Sequence, residues 1–142
     1  MLTLEFDLSA LEQQLDNIDA AVGEAIRPAA QAGAQVFYDE VRTRAPRSEK
    51  MHFTKGKKQS YAPGNLQRAI YQAFDEQDSA PNKTASYSIS WNKSKAFYGR
   101  FVEFGTKRMP AYPFLRPSFD AVNQRAIQAV NDRLEQELKG KL

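Results

Sequence analysis

The sequence predicts an α+β fold in which a small, mainly antiparallel sheet packs against two long helices, and three patterns predict it. Leu11, Leu15, Ile18, Val22 and Ile26, continued by Ala30, Ala34, Phe37 and Val41, recur every three or four residues, the spacing of one helix face. Ala85, Tyr87, Ile89 and Trp91 alternate with Ser86, Ser88 and Ser90, as on a half-buried strand. Phe119, Val122, Ala126, Val130, Leu134 and Leu138 return to helical spacing near the end. A chain of 142 residues suits one domain with one core, so residues 1–142 are read as a single unit.

Taken in order, Leu2, Leu4 and Phe6 alternate with Thr3, Glu5 and Asp7 and predict a short first strand. Ser9 followed by Glu12 forms a capping box, which places the start of the first long helix. Pro28 lacks the N–H that would bond the carbonyl of Glu24, which predicts a kink or break there. Ala29, Ala30, Ala32, Gly33 and Ala34 form a slim face suited to close packing within the domain, with a subunit contact as the rival reading. Pro46 ends the helix, because a residue before proline avoids the α region.

Arg47–Pro63 is polar, basic and without periodicity, and is expected to be a long mobile loop. Leu66–Phe74 satisfies both a helical and an alternating pattern, and the reading leans to strand. Asp75–Lys83 carries turn residues, Asp78, Ser79, Pro81 and Asn82. The last helix is expected from Pro117, a first-turn residue, to about Lys139, with Gly140 at its end.

Composition narrows the function classes. The chain has no cysteine and one histidine, His52, so thiolate metal sites, disulfides and a cysteine nucleophile are excluded and the usual acid–base kit is thin. No cofactor is expected, and no run of apolar residues is long enough to span a membrane. The N-terminus does not read as a secretory signal. His52 with Ser48, Ser60 or an Asp suggests a hydrolytic triad only superficially, since a triad needs a base held on a rigid scaffold. The expectation is therefore a non-enzymatic protein made in a reducing cytosol.

The densest chemistry lies in Phe97–Pro117, where aromatics, Gly and Pro crowd together. Tyr98, Phe101, Val102 and Phe104 are expected to bury against the core, Gly105 to end the element, and Pro110, Pro113 and Pro117 to stiffen the link to the last helix. Glu103 sits among them. As a general acid it would need a partner at fixed distance; an ion pair or hydrogen bonds to backbone amides that lock the Gly105 turn is the preferred reading.

Tyr-x-x-Phe-Val-Glu-Phe-Gly-Thr from Tyr98, followed by Met-Pro-x-x-Pro-Phe-Leu-Arg-Pro from Met109 and a terminal helix, resembles the tail-completion, head–tail joining or neck proteins of long-tailed bacteriophages and prophages. Ala45-Pro46 and Gly64-Asn65-Leu66-Gln67-Arg68-Ala69-Ile70 fit that family's Ala-Pro and Gly-x-Leu-x-x-x-Ile in the same order, except that Arg47–Pro63 separates them by more than is usual. The motif residues are Glu103, Gly105, Thr106, Pro113, Phe114, Leu115 and Pro117. The resemblance implies a structural virion component at the tail top or neck, made in the bacterial host. It also implies self-association into a ring, a hexamer to match tail symmetry, around the DNA channel and against other neck and tail proteins.

The basic segment supplies the candidate contacts with packaged DNA or an acidic partner: Arg47, Lys50, Lys55, Lys57 and Lys58, flanked by Arg42 and Arg44. Phe53 and Tyr61 are candidates to stack on bases. The alternative function is a small basic nucleic-acid-binding module; the blander reading of the same charges is a solvated loop.

Overall fold

The structure is a computed structural model and describes residues 3, 8–47, 52–53 and 60–141. Its elements in chain order are α1 (Ser9–Arg44), β1 (His52–Phe53), β2 (Ser60–Tyr61), α2 (Asn65–Ala69), β3 (Ile70–Phe74), β4 (Tyr87–Trp91), α3 (Gly99–Phe104) and α4 (Leu115–Lys139). Two long helices pack on a small antiparallel sheet, as the sequence predicts. The expected first strand, Leu2–Phe6, lies outside the described residues except for Thr3.

Helix α1 starts at Ser9 with Leu8 in the N-cap position, one residue before the expected cap. No side-chain cap bond forms there; the Glu12 amide donates to the carbonyl of Leu8. The helix then runs through Pro28 without a break for 36 residues. A mid-helix proline costs about 3 kcal/mol. Burial on both sides of it outweighs that cost: Ala21, Ala25, Ala29, Gly33, Ala34 and Val41 are all buried.

The small-residue face packs inside the domain, against α4. A Cβ on Gly33 would lie 2.6 Å from Val130 Cγ2, so only glycine lets the two helices approach this closely. Farther along, Phe37 stacks on Phe119 with ring centroids 5.5 Å apart, and Arg125 reaches Glu40 at 3.5 Å. The helices are antiparallel, and Lys141, just past α4, pairs with Glu24.

β3 and β4 form an antiparallel pair in the register Ile70↔Trp91 to Phe74↔Tyr87. The intervening turn is organised by Asp75 Oδ1, which accepts the amides of Gln77 and Asp78. The ambiguous Leu66–Phe74 resolves into both patterns, a single helical turn over Asn65–Ala69 and then a strand. The turn buries Leu66 and Ala69, while alternation takes over at Ile70. The core joins Val41, Ala45, Leu66, Ala69, Ile70, Trp91, Ala96 and Phe114. Each large apolar side chain fully buried there contributes roughly 1.5–3 kcal/mol.

Within segment 47–63, where a long mobile loop is expected, the described residues are 47, 52–53 and 60–63. β1 and β2 pair antiparallel, with His52 opposite Tyr61 and Phe53 opposite Ser60. Two-residue strands are too short to show a period, so the sequence carried no sign of them.

Candidate functional site

The stretch singled out by the sequence folds as a joint between α3 and α4. Glu103 lies on the inner face of α3 and is 6% exposed. Its Oε2 accepts the amides of Phe114 at 2.7 Å and Leu115 at 3.1 Å, and its Oε1 accepts the amide of Arg116 at 3.2 Å. A helix begins with four amides that have no partner within it. In α4 these belong to Phe114 (the N-cap), Leu115, Arg116 and Pro117. One carboxylate satisfies three of them, and the fourth residue is a proline, which has no N–H to satisfy. The negative charge also faces the positive end of the helix dipole.

Glu103 is thus a lock, but on the start of α4 and not on the Gly105 turn. The helix begins two residues before Pro117, which occupies its third position instead of its first. The Gly105 turn is held separately. Gly105 has φ +74, and a Cβ there would lie 2.8 Å from the Ala111 amide nitrogen, so both conformation and space require glycine. Its amide donates to Phe101 O at 2.8 Å. Thr106 Oγ1 accepts the amides of Arg108 and Met109, and the Tyr112 amide donates to Val102 O. Pro113 is exposed beside this joint, while Phe114 is fully buried against Trp91 with ring centroids 5.7 Å apart.

The aromatics divide against expectation. Val102 and Tyr98 pack on the core, but Phe101 and Phe104 face outward. A helical turn explains this: with Glu103 turned inward to α4, residues on the far side of the same short helix must point to solvent. Phe97 and Tyr112 are exposed beside them.

The basic residues are not brought into one described site. Arg47 is exposed just past α1, and Lys50, Lys55, Lys57 and Lys58 lie outside the described residues. Arg42 and Arg44 belong to the last turn of α1, where Arg44 bonds Glu40 at 2.7 Å and Arg42 lies over the ring of Tyr38. Tyr61 is buried, with its ring 5.2 Å from that of Tyr98, and so is not free to stack on a base. The side chains of His52, Phe53 and Ser60, and all of Ser48, lie outside the described residues.

A cleft of about 420 Å³ lies between α1 and the β3–β4 turn. Two of its charged groups are engaged within the chain: Arg27 stacks over Phe74 at 3.8 Å, and Glu24 pairs with Lys141; Glu76 also lines the cleft. That ion pair holds the Glu24 carboxyl below its usual range, through the hydrogen bond first and the charge second. Among the described residues no cluster of His, Asp and Glu is arranged to hold a metal ion, and no helix is long and apolar enough to cross a membrane.

Residues 9–105, from the start of α1 to the glycine that ends α3, match the family model for the bacteriophage HK97-gp10-like tail component. The chain belongs to that family. The match covers well over half of this tail component and stops at Gly105, so the proline-rich link and α4 lie beyond it. No curated protein and no solved structure matches it.

Within the matched region, Leu66 and Ile70 of the Gly-x-Leu-x-x-x-Ile motif are core residues. Asn65 Nδ2 donates to Lys95 O at 2.7 Å and ties α2 to the turn before α3. The motif positions of the tail component therefore read as geometry. What sequence reasoning missed is the surface: Leu11, Leu15, Ile18, Phe101 and Phe104 are exposed although they are expected in the core, and Leu8 is exposed beside them.

Proposed function

We propose that this tail component completes the tail at its upper end and joins it to the head. Several copies, a hexamer in a six-fold tail, assemble as a ring around the channel that passes DNA. The role is structural and involves no reaction. The observation that carries this reading is the family match over residues 9–105, which makes the chain a phage tail component. The joint adds support: its one buried carboxylate is committed to three backbone amides, an arrangement that fixes the angle between α3 and α4.

In the ring, Arg47 with Lys50, Lys55, Lys57 and Lys58 faces the phosphates of the DNA in the channel, a contact that weakens steeply with salt. Other neck and tail proteins cover the outer faces. The test is a deletion of the gene in a phage or inducible prophage that carries it. Electron microscopy of the lysate is expected to show filled heads and finished tails that remain separate. Normal particles at normal titre would overturn the proposal.

A further inference from the structure

Two apolar surfaces at opposite ends of α1 carry opposite charge. The first is the start of α1. This helix has 36 residues against 25 in α4, and the pairing of Lys141 with Glu24 marks where α4 runs out. Every residue from Ser9 to Ala20 is exposed. Leu8, Leu11, Leu15 and Ile18 are 58%, 50%, 56% and 43% exposed and recur by three and four along one face. A helical stretch this short is marginal alone in water, and its apolar stripe needs cover. Its charged residues are Glu12, Asp16 and Asp19, with no Lys or Arg before Arg27.

The second surface surrounds α3. Phe97, Phe101, Phe104 and Tyr112 are 49%, 44%, 72% and 58% exposed. Lys93, Lys95, Arg100, Lys107 and Arg108 are exposed around them. Glu103 is the one acid between Asp78 and Asp120, and it is turned inward onto α4, so no acid of this segment offsets these cations at the surface. The α3 surface packs beside Val41 and Ala45, at the far end of α1. That helix is about 54 Å long at 1.5 Å per residue, so the two surfaces cannot meet within one molecule.

We infer that the acidic, leucine-lined start of α1 in one copy docks on the basic, aromatic α3 surface of the next. This is a head-to-tail contact, and contacts of this kind close into rings when the rotation between copies allows it. A symmetric pairing of two α1 starts would instead set Glu12, Asp16 and Asp19 against their own copies, which like-charge repulsion opposes. The inference deepens the proposed ring and rests on that reading.

The absence of cysteine makes the test direct. Leu15→Cys and Phe101→Cys are both at exposed positions, and circular dichroism checks that each variant folds. Under mild oxidation at a concentration where the parent self-associates, a mixture of the two is expected to give a cross-linked pair that neither forms alone. Glu12→Lys with Asp16→Lys should abolish the cross-link, and Arg100→Glu with Lys107→Glu on the other partner should restore it. Cross-linking of Leu15→Cys with itself as readily as with Phe101→Cys overturns the inference. So does a parent chain that stays monomeric at every concentration, or one that self-associates while the mixture gives no cross-link. If the gene deletion separates heads from tails but no cross-link forms, the tail role stands and this pairing falls. If the cross-link forms and deletion particles are normal, the pairing stands and the role falls.

Discussion

Replacing Glu103 with alanine should loosen the start of α4 and cost a large share of the protein's stability. The three amides it accepts are not equally hidden: that of Phe114 is buried, while those of Leu115 and Arg116 are partly so. A buried amide left without a partner costs about 1–3 kcal/mol, and a partly buried one less because water can reach it. Taking about 2 kcal/mol for Phe114 and about 1 kcal/mol each for the other two, the loss is about 4 kcal/mol out of a typical 5–15 kcal/mol.

Glu103→Gln keeps the shape and one acceptor oxygen but turns an NH₂ group toward amides, and should cost about 1–2 kcal/mol. The assay is urea unfolding followed by the fluorescence of Trp91, the only tryptophan, whose ring contacts Phe114 at the joint. With a slope near 1.5 kcal/mol/M, the alanine variant's midpoint should fall by roughly 2–3 M. An alanine variant within about 0.5 kcal/mol of the parent would refute the idea that this carboxylate holds the helix start.

Three other outcomes are expected. Gly33→Val places a side chain where Val130 Cγ2 already stands, so α1 and α4 must separate; thermal unfolding should show a loss of at least 1–3 kcal/mol, whereas Gln31→Val on the exposed side should be nearly silent. The lowered pKa of Glu24 means that its pairing with Lys141 stabilises the fold above the ordinary carboxylate range and is lost as pH falls through the folded value. Lys141→Ala should therefore raise the Glu24 titration midpoint in an NMR titration, and an unchanged midpoint would contradict the pairing. Replacing Lys55, Lys57 and Lys58 by glutamine should leave unfolding unchanged but reduce cross-linking of the protein to DNA in assembled particles, and unchanged cross-linking would contradict the proposed DNA contact.

The long elements were legible because their patterns repeat many times. Nine positions from Leu11 to Val41 fix a helix even through a proline, and Trp91 with Ile89 fixes a strand. The short elements were not. A five-residue helix at Asn65–Ala69 and two-residue strands at 52–53 and 60–61 hold less than two periods of anything. Glu103 was legible as a structural carboxylate, but its partners stand 11 to 13 residues away, and only the folded link brings them within reach.

Burial failed at particular residues for a related reason. Leu11, Leu15 and Ile18 sit on the same stripe as Val22, and spacing alone cannot show that α4 ends opposite Glu24. Phe101 and Phe104 look like core until Glu103 is known to claim the inner face of α3. In both places the apolar pattern stays exposed among the described residues, and these are the two surfaces of the inferred contact between copies.

We propose that this tail component forms a ring at the junction of tail and head. Cryo-electron microscopy of intact particles of a phage that encodes it tests this most directly. A closed ring is expected at the tail top, with density into which the α1–α4 pair and the α3 joint fit and with segment 47–63 facing the channel. Density for this fold at the tail tip or along the tube, or no copy in the particle, would contradict it.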